Sequence, residues 1–416
     1  MARLRQLALW ALTRAVLLLW ALGALTFPGP DVTTDVSVIY QGWYASLRSG
    51  TFPVDDVTWQ YPPAAALPLL SPALLPSLDY PTAFSLLVLL CDAAVLALLR
   101  YGEDRPGRSR RGSWAWVCGV PLLGPTAYAR YDLMVVAVAV AALLAGARRP
   151  ALLGALAGFG ALLKVWPVLL LTGVAPGRSA RRAGIAAGAV AAALTVGFAV
   201  ALPGSLGFLT AQRDRGTEVE SLGALVFHAA RPLGWPGRVE LRYGSVEFVG
   251  PAVPLVSALA LALAVAALAW LAVWRLRAVV YGPATLYDAA FTAVLLLTTT
   301  SRVISPQYLL WLVGLAAVCL SVTASRMALP ALLVLAAAGL TVIEFPLLFA
   351  DVVDGEGPGV LALVLRNALL VAAAWVACAR LWRAARAVRR TVETEGGTEG
   401  GTEGGTDGET GRLVGV

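Results

Sequence analysis

The chain has 416 residues, of which 59% are hydrophobic and 14% charged. A water-soluble domain carries about 25% charged residues, so water is not the main solvent of this protein, and long apolar runs from Leu9 to Trp382 argue for one membrane domain rather than a soluble enzyme with an anchor. The net charge of +7 is not a nucleic-acid footprint, because the arginines cluster in short loops between apolar runs instead of lining one soluble face.

The first run, about Leu9 to Phe27, lacks a small-residue cleavage site and reads as a retained helix. Arg3 and Arg5 place the N-terminus in the cytoplasm, and Arg14 is expected to snorkel back toward that face. The basic clusters at Arg100–Arg111, Arg148/Arg149, Arg178–Arg182, Arg275/Arg277, Arg326 and Arg380–Arg390 all become cytoplasmic under one layout of about twelve crossings. After the first come Tyr80–Leu99, Trp114–Tyr128, Leu133–Ala147, Ala151–Leu163 and Val165–Ala175. Ala183–Ala201, Pro251–Trp274, Val279–Thr299, Tyr308–Ser325, Ala328–Phe349 and Val360–Cys378 complete the set. The predicted fold is therefore an all-α polytopic protein of the plasma membrane with both termini cytoplasmic and two long outside loops, about 28–78 and 202–249. The proline-rich Pro62–Pro76 stretch is apolar but short, and reads as a helix lying in or dipping into the outer interface. The transmembrane domain spans 1–390. The Gly/Glu/Thr-rich tail, 391–416, buries no apolar surface and is expected to be a disordered cytoplasmic extension.

Polar residues gather on the outer side. In the first loop, apolar positions from Val36 to Leu47 recur at three- and four-residue steps and predict an amphipathic helix ended by Gly50, with its aromatic residues at headgroup level. Asp35 stands at its N-cap or first turn, where capping is the commoner role for an aspartate. Asp55 and Asp56 read as solvated. Arg130 with Asp132 marks one outer hairpin turn, Lys164 another, and Gln212–Ser221 forms a charged outer run containing Arg213, Arg215 and Glu220. Arg302, Gln307 and Tyr308 lie at a further outer end. Cations from separate segments on one side suit a phosphate-bearing ligand. The four cysteines show neither metal-ligand spacing nor a disulfide framework, so no metal or other cofactor is expected. His228 reads as structural, Asp92 and Asp288 have no functional account, and Arg366, in the outer half of the last crossing, is expected to face the cavity or to snorkel.

Asp35 to Tyr40, Tyr61-Pro62-Pro63, Arg130-Tyr131-Asp132, Lys164 to Pro167, Gln212–Ser221 and Ser305 to Tyr308 follow one another in order. In this the chain resembles the GT-C superfamily of membrane glycosyltransferases, especially the actinobacterial polyprenyl-phosphate-mannose-dependent mannosyltransferase-like group. The resemblance implies inverting transfer of a hexosyl group, mannosyl by that likeness, from a polyprenyl-phosphate donor to an extracytoplasmic glycolipid or glycan, within a membrane-lipid environment. It implies Asp35 as general base, and Lys164, Arg213, Arg215 and Arg302 as donor-phosphate ligands. Tyr40, Tyr61, Arg130, Asp132, Glu220, Gln307 and Tyr308 would shape the site or bind substrate. One departure is that Ser305-Pro306 continues into Gln307 and Tyr308, where some members of that group carry paired histidines. Competing readings are a lipid-linked sugar flippase and a polysaccharide polymerase. The flippase would call for repeated halves and midplane polar groups, and no convincing internal repeat is found.

Overall fold

The computed structural model describes residues 1–211 and 215–395; Arg213 and the repeat beyond Glu395, with the disorder expected of it, lie outside the described residues. Helices dominate. α1 (Ala2–Ala21) is followed by a π-helical turn over Asp35–Tyr40, α2 (Gln41–Arg48), α3 (Ala66–Leu70), α4 (Tyr80–Arg100) and α5 (Arg111–Gly119). Then come α6 (Asp132–Gly146), α7 (Pro150–Leu163), α8 (Arg178–Ala201), α9 (Phe208–Ala211), α10 (Ala224–Ala230) and α11 (Val253–Arg277). α12 (Thr285–Thr300), α13 (Tyr308–Leu320), α14 (Ala328–Val342), α15 (Phe349–Asp354) and α16 (Gly357–Glu395) close the described chain.

Six of these stretches, Arg3–Ala21, Tyr80–Arg100, Arg178–Ala201, Val253–Arg277, Ala328–Leu347 and Gly357–Arg386, are long and apolar enough to cross a membrane. The protein is thus an all-α polytopic membrane protein. α6, α7, α12 and α13 are apolar but shorter. At 1.5 Å per residue α4 extends about 31 Å, whereas α6, α7 and α13 extend only about 20–23 Å. The short helices lie inside the bundle: Leu309 through Cys319 of α13 are all buried, so these helices need not match the lipid thickness. α7 lies tight against α8 because Gly154 and Gly158 meet the backbone of Ala183 and Ala187, where any Cβ would clash.

Several expectations are corrected. The Trp114–Tyr128 stretch is not one α-helix: it continues from α5 as a 3₁₀ segment, Val120–Ala127, carrying Pro121 and Pro125 and kinked at Gly124. The Val165–Ala175 stretch is a 3₁₀ segment, Trp166–Gly173, with Pro167 in its first turn. Pro63–Leu74 is helical throughout, α3 flanked by a 3₁₀ turn on each side, and its Ala64, Ala65, Ala66 and Leu69 are fully buried. It packs into the bundle instead of lying on its surface. The first-loop helix likewise turns Tyr40 and Trp43 inward, both buried, instead of toward headgroups. The 202–249 loop adds an unexpected element, a three-stranded antiparallel sheet ordered β1 (Thr217–Glu218), β3 (Ser245–Val249), β2 (Arg238–Arg242). β2 and β3 join through Tyr243 and Gly244, both at positive φ, the signature of a two-residue hairpin turn.

Arg14 does not snorkel. Its side chain is 1% exposed, its Nε donates to Asp92 Oδ2 at 2.9 Å, and its Nη atoms reach the carbonyls of Val117 and Trp116. Trp10, Trp116 and Tyr128 also donate to the Asp92 carboxylate. This cluster ties α1 to α4 and α5. Removing one member leaves the other charge buried and unpaired, at a cost of roughly 3–5 kcal/mol. Asp92→Leu should lower the unfolding temperature in detergent sharply. The Arg14→Leu/Asp92→Leu double variant should recover part of the loss, although three donors still lack an acceptor. A double variant less stable than Asp92→Leu would contradict this account.

Candidate active site

The short helices converge on one end of the bundle, and there the charged side chains meet. α6 begins at Asp132, α7 ends before Lys164, and α13 begins at Tyr308. The Asp132 carboxylate is fully buried and accepts 2.6 Å hydrogen bonds from Lys164 Nζ and Trp311 Nε1. The Lys164 ammonium also lies 5.0–5.9 Å from the ring centres of Tyr131, Tyr61, Trp311 and Tyr308, an aromatic surround that suits a desolvated cation. Of these residues Lys164, Tyr61 and Tyr308 form the floor of a cavity of about 290 Å³.

One wall comes from the first loop. Asp35 sits in the first turn of its helix but does not cap it, since the cap residue is Thr34 and the turn before it is closed by Asp31 accepting from the Thr33 N–H. Asp35 instead pairs with Arg130 at 2.6 Å and keeps 28% of its side chain exposed. Arg130 is held in turn by the carbonyls of Ala129 and Val32. Tyr40 packs at 5.5 Å from Trp43 and 5.9 Å from Tyr131. Asp56 is not simply solvated: it accepts from Trp43 Nε1 at 2.6 Å and from Thr58.

The sheet supplies the opposite wall. Arg215 pairs with Glu247 at 3.1 Å and donates to Gln60 Oε1 at 2.9 Å, while Gln60 Nε2 donates to the carbonyl of Tyr243. Gln60 thereby clasps the first loop to the hairpin. Glu218 accepts from Ile304 N–H at 2.7 Å and from Ser305 Oγ at 3.1 Å. Glu220 borders the cavity and faces a buried pair behind it, Arg366 with Glu344 at 3.1 Å. Arg366 and Asn367 donate to the Glu220 carbonyl. Arg366 of α16 is therefore a buried bridge to Glu220, just past β1, and to Glu344, and it neither lines the cavity nor snorkels.

Nine of the residues singled out from sequence line this one cavity: Asp35, Tyr40, Tyr61, Arg130, Lys164, Arg215, Glu220, Gln307 and Tyr308. Asp132 lies just beneath it. Arg302 stands behind the wall, its Nη1 donating to the Arg215 carbonyl at 2.8 Å, and it borders a separate cavity with Arg215 and Arg242. Arg213 falls outside the described residues. His228 is turned away, bonded to the Val219 carbonyl and packed on Phe248. Sequence reasoning gave Glu218, within the Gln212–Ser221 run, and Gln60, beside Tyr61, no place in the site. The alternation of Thr217, Val219 and Ser221 with Glu218 and Glu220 was the available signal, since period two puts both carboxylates on one side of an extended chain. Among the described residues no three His, Cys, Asp or Glu side chains come together as metal ligands.

Next to the charged cavity lies a second, of about 440 Å³, which shares Gln60, Tyr61, Lys164 and Tyr308 with it. Its other walls are largely apolar, including Val165, Trp166, Phe208, Leu209 and Leu297. A charged cavity thus opens beside a largely apolar one in a multi-pass membrane protein. The family model described as Glycosyltransferase family 87 matches residues 59–306, and the chain belongs to that family. It is a membrane glycosyltransferase. No curated protein and no solved structure matches the chain. The family match runs from just before Tyr61 to just past Ser305, covering Arg130, Lys164 and Arg215 but beginning after Asp35.

Burial pushes the Glu218 carboxyl up to about 7, against the opposing pull of Arg215 and the Ser305 and Ile304 hydrogen bonds. A carboxyl raised in this way favours the folded state most fully while protonated. Its contribution is complete below its ordinary value of 4.5 and is lost as the pH rises through about 7. The unfolding temperature of Glu218→Gln in detergent should therefore vary less between pH 5 and pH 8 than that of the unaltered protein. Parallel curves for the two would remove this role.

Proposed function

We propose that the enzyme is of the GT-C type and moves a hexosyl group, mannosyl in the first instance, from a polyprenyl-phosphate donor. The acceptor is the hydroxyl of a glycolipid or glycan on the extracytoplasmic side of the plasma membrane. The observation that carries this reading is the position of Lys164 at the seam between a charged cavity and an apolar one. A polyprenyl-phosphate sugar has the same order of polarity: hydrocarbon, then anion, then hydroxyls. With the chain along Leu297, Phe208 and Leu209, the phosphate meets Lys164 and the sugar enters the charged cavity.

The chemistry then follows from the walls. Asp35 takes the proton of the acceptor hydroxyl as that oxygen bonds to the anomeric carbon from the side opposite the phosphate. The bond from that carbon to the phosphate oxygen breaks with inversion, and polyprenyl phosphate leaves with both electrons. Lys164 and Arg215 offset the charge that develops on the leaving group, which counts for most in a site of low dielectric. Arg130 orients Asp35, and Asp132 holds Lys164 in place. Tyr61 and Tyr308 flank the sugar. Gln307 and Glu220 offer hydrogen-bond partners for its hydroxyls, with Tyr40 behind Asp35. Arg302 acts through the Arg215 backbone, and Arg213 of the same charged run joins the phosphate ligands.

Purified protein given labelled polyprenyl-phosphate-mannose and a glycolipid acceptor should form a product whose new bond has the anomeric configuration opposite to the donor's. Asp35→Asn should reduce transfer about 100-fold or more while leaving the unfolding temperature intact. Lys164→Met should raise the KM for the lipid donor. Lipid translocation without transfer, or unimpaired transfer by Asp35→Asn, would overturn the reading.

A further inference from the structure

The opposite ends of the same short helices meet at a second charged cavity, of about 380 Å³. α4 ends there at Arg100, α6 ends at Gly146, and α7 begins at Pro150. At about 1.5 Å per residue this places it roughly 20 Å or more from the Lys164 floor. Arg105, Arg108, Arg148 and Arg149 line it. None of these four has a carboxylate partner among the described residues. Arg105 lies over the Tyr101 ring at 4.8 Å, and Arg108 donates to Tyr287 Oη at 3.3 Å. The one acidic residue lining the cavity, Glu103, is already engaged, accepting from Ser113 Oγ and pairing with Arg3 and Arg110. The loop carrying two of the arginines is fixed in place: Ser109 N–H donates to the Ser321 carbonyl and Thr323 N–H to that of Gly107. Four unpaired guanidinium groups around a formed cavity suit an anion, and a phosphate above all.

The rim decides where that phosphate comes from. Leu98 and Leu152 line the cavity and are 36% and 38% exposed, and Tyr101 is 77% exposed. Apolar side chains exposed beside a basic pocket at the ends of membrane helices fit an amphiphile better than a free ion. We propose that this cavity binds the phosphate headgroup of an anionic phospholipid, with the acyl chains running along Leu98 of α4 and Leu152 of α7. The proposal is independent of the chemistry at the Lys164 cavity, requiring only that the basic face lie at one surface of the bilayer.

The test uses the full-length protein in neutral detergent, with short-chain phosphatidylglycerol, short-chain phosphatidylcholine and inorganic phosphate as separate probes. Binding is read by native mass spectrometry and by the shift in unfolding temperature. Phosphatidylglycerol should bind and stabilise while the other two do not. Arg148→Gln/Arg149→Gln should weaken phosphatidylglycerol binding about tenfold or more. Arg383→Gln/Arg386→Gln, which removes the same charge from exposed positions of α16 that do not line the cavity, should not. Because both pairs are exposed, each double variant should unfold at the unaltered temperature without lipid. Equal binding of phosphatidylcholine, equal stabilisation by inorganic phosphate, or equal losses in the two double variants would each overturn the proposal.

Discussion

Lys164 and Asp132, 2.6 Å apart at the buried meeting point of α6, α7 and α13, are the contact on which the rest of the site depends. A lone ammonium or carboxylate at that depth would be costly. Paired, and ringed by Tyr61, Tyr131, Tyr308 and Trp311, the two define a floor that three helices must share. Tyr61 in the first loop and Tyr308 at the start of α13 take their places from this cation, so the charged and the apolar cavity share one boundary. The glycines of α7 serve the same end, since their close approach to α8 fixes the helix that delivers Lys164.

Buried charge is used in two ways in this protein. Arg14 with Asp92, and Arg366 with Glu344, are held away from the main cavity and join segments far apart in the chain. Asp35, Lys164 and Arg215 are also paired, yet each presents an atom to open space. The difference lies in what surrounds them. Asp92 is saturated by donors from Trp10, Trp116 and Tyr128, whereas Asp35, 28% exposed, faces the cavity with Arg130 behind it. Charge alone does not decide which groups a ligand can reach; charge with one side left open does.

Much of this was legible in the sequence. The membrane class followed from the apolar runs, and of the basic segments assigned to one side, the N-terminus and the Arg100–Arg111 loop do meet, since Arg3 and Arg110 reach the same acidic pair, Glu103 and Asp104. Most of the cavity residues were found because ionisable groups stand out against an apolar background. What escaped depended on distance in sequence or on backbone detail. The Arg14–Asp92 bond spans 78 positions and has no local signature. The hairpin around Tyr243 and Gly244 was passed over as loop, although Arg238 to Val249 alternates and carries a glycine at the turn. The helices interrupted by Pro121, Pro125 and Pro167 were read as full crossings because hydropathy registers composition and not hydrogen-bond geometry.

The shortness of α6, α7 and α13 has a consequence for the reaction medium. These helices are about 10 Å shorter than α4, so the Lys164 floor lies about that far inward from where α4 begins at Tyr80, and Lys164 itself is 6% exposed. For the transfer proposed above, that depth would leave bulk water at a disadvantage against an acceptor hydroxyl and so limit hydrolysis of the donor.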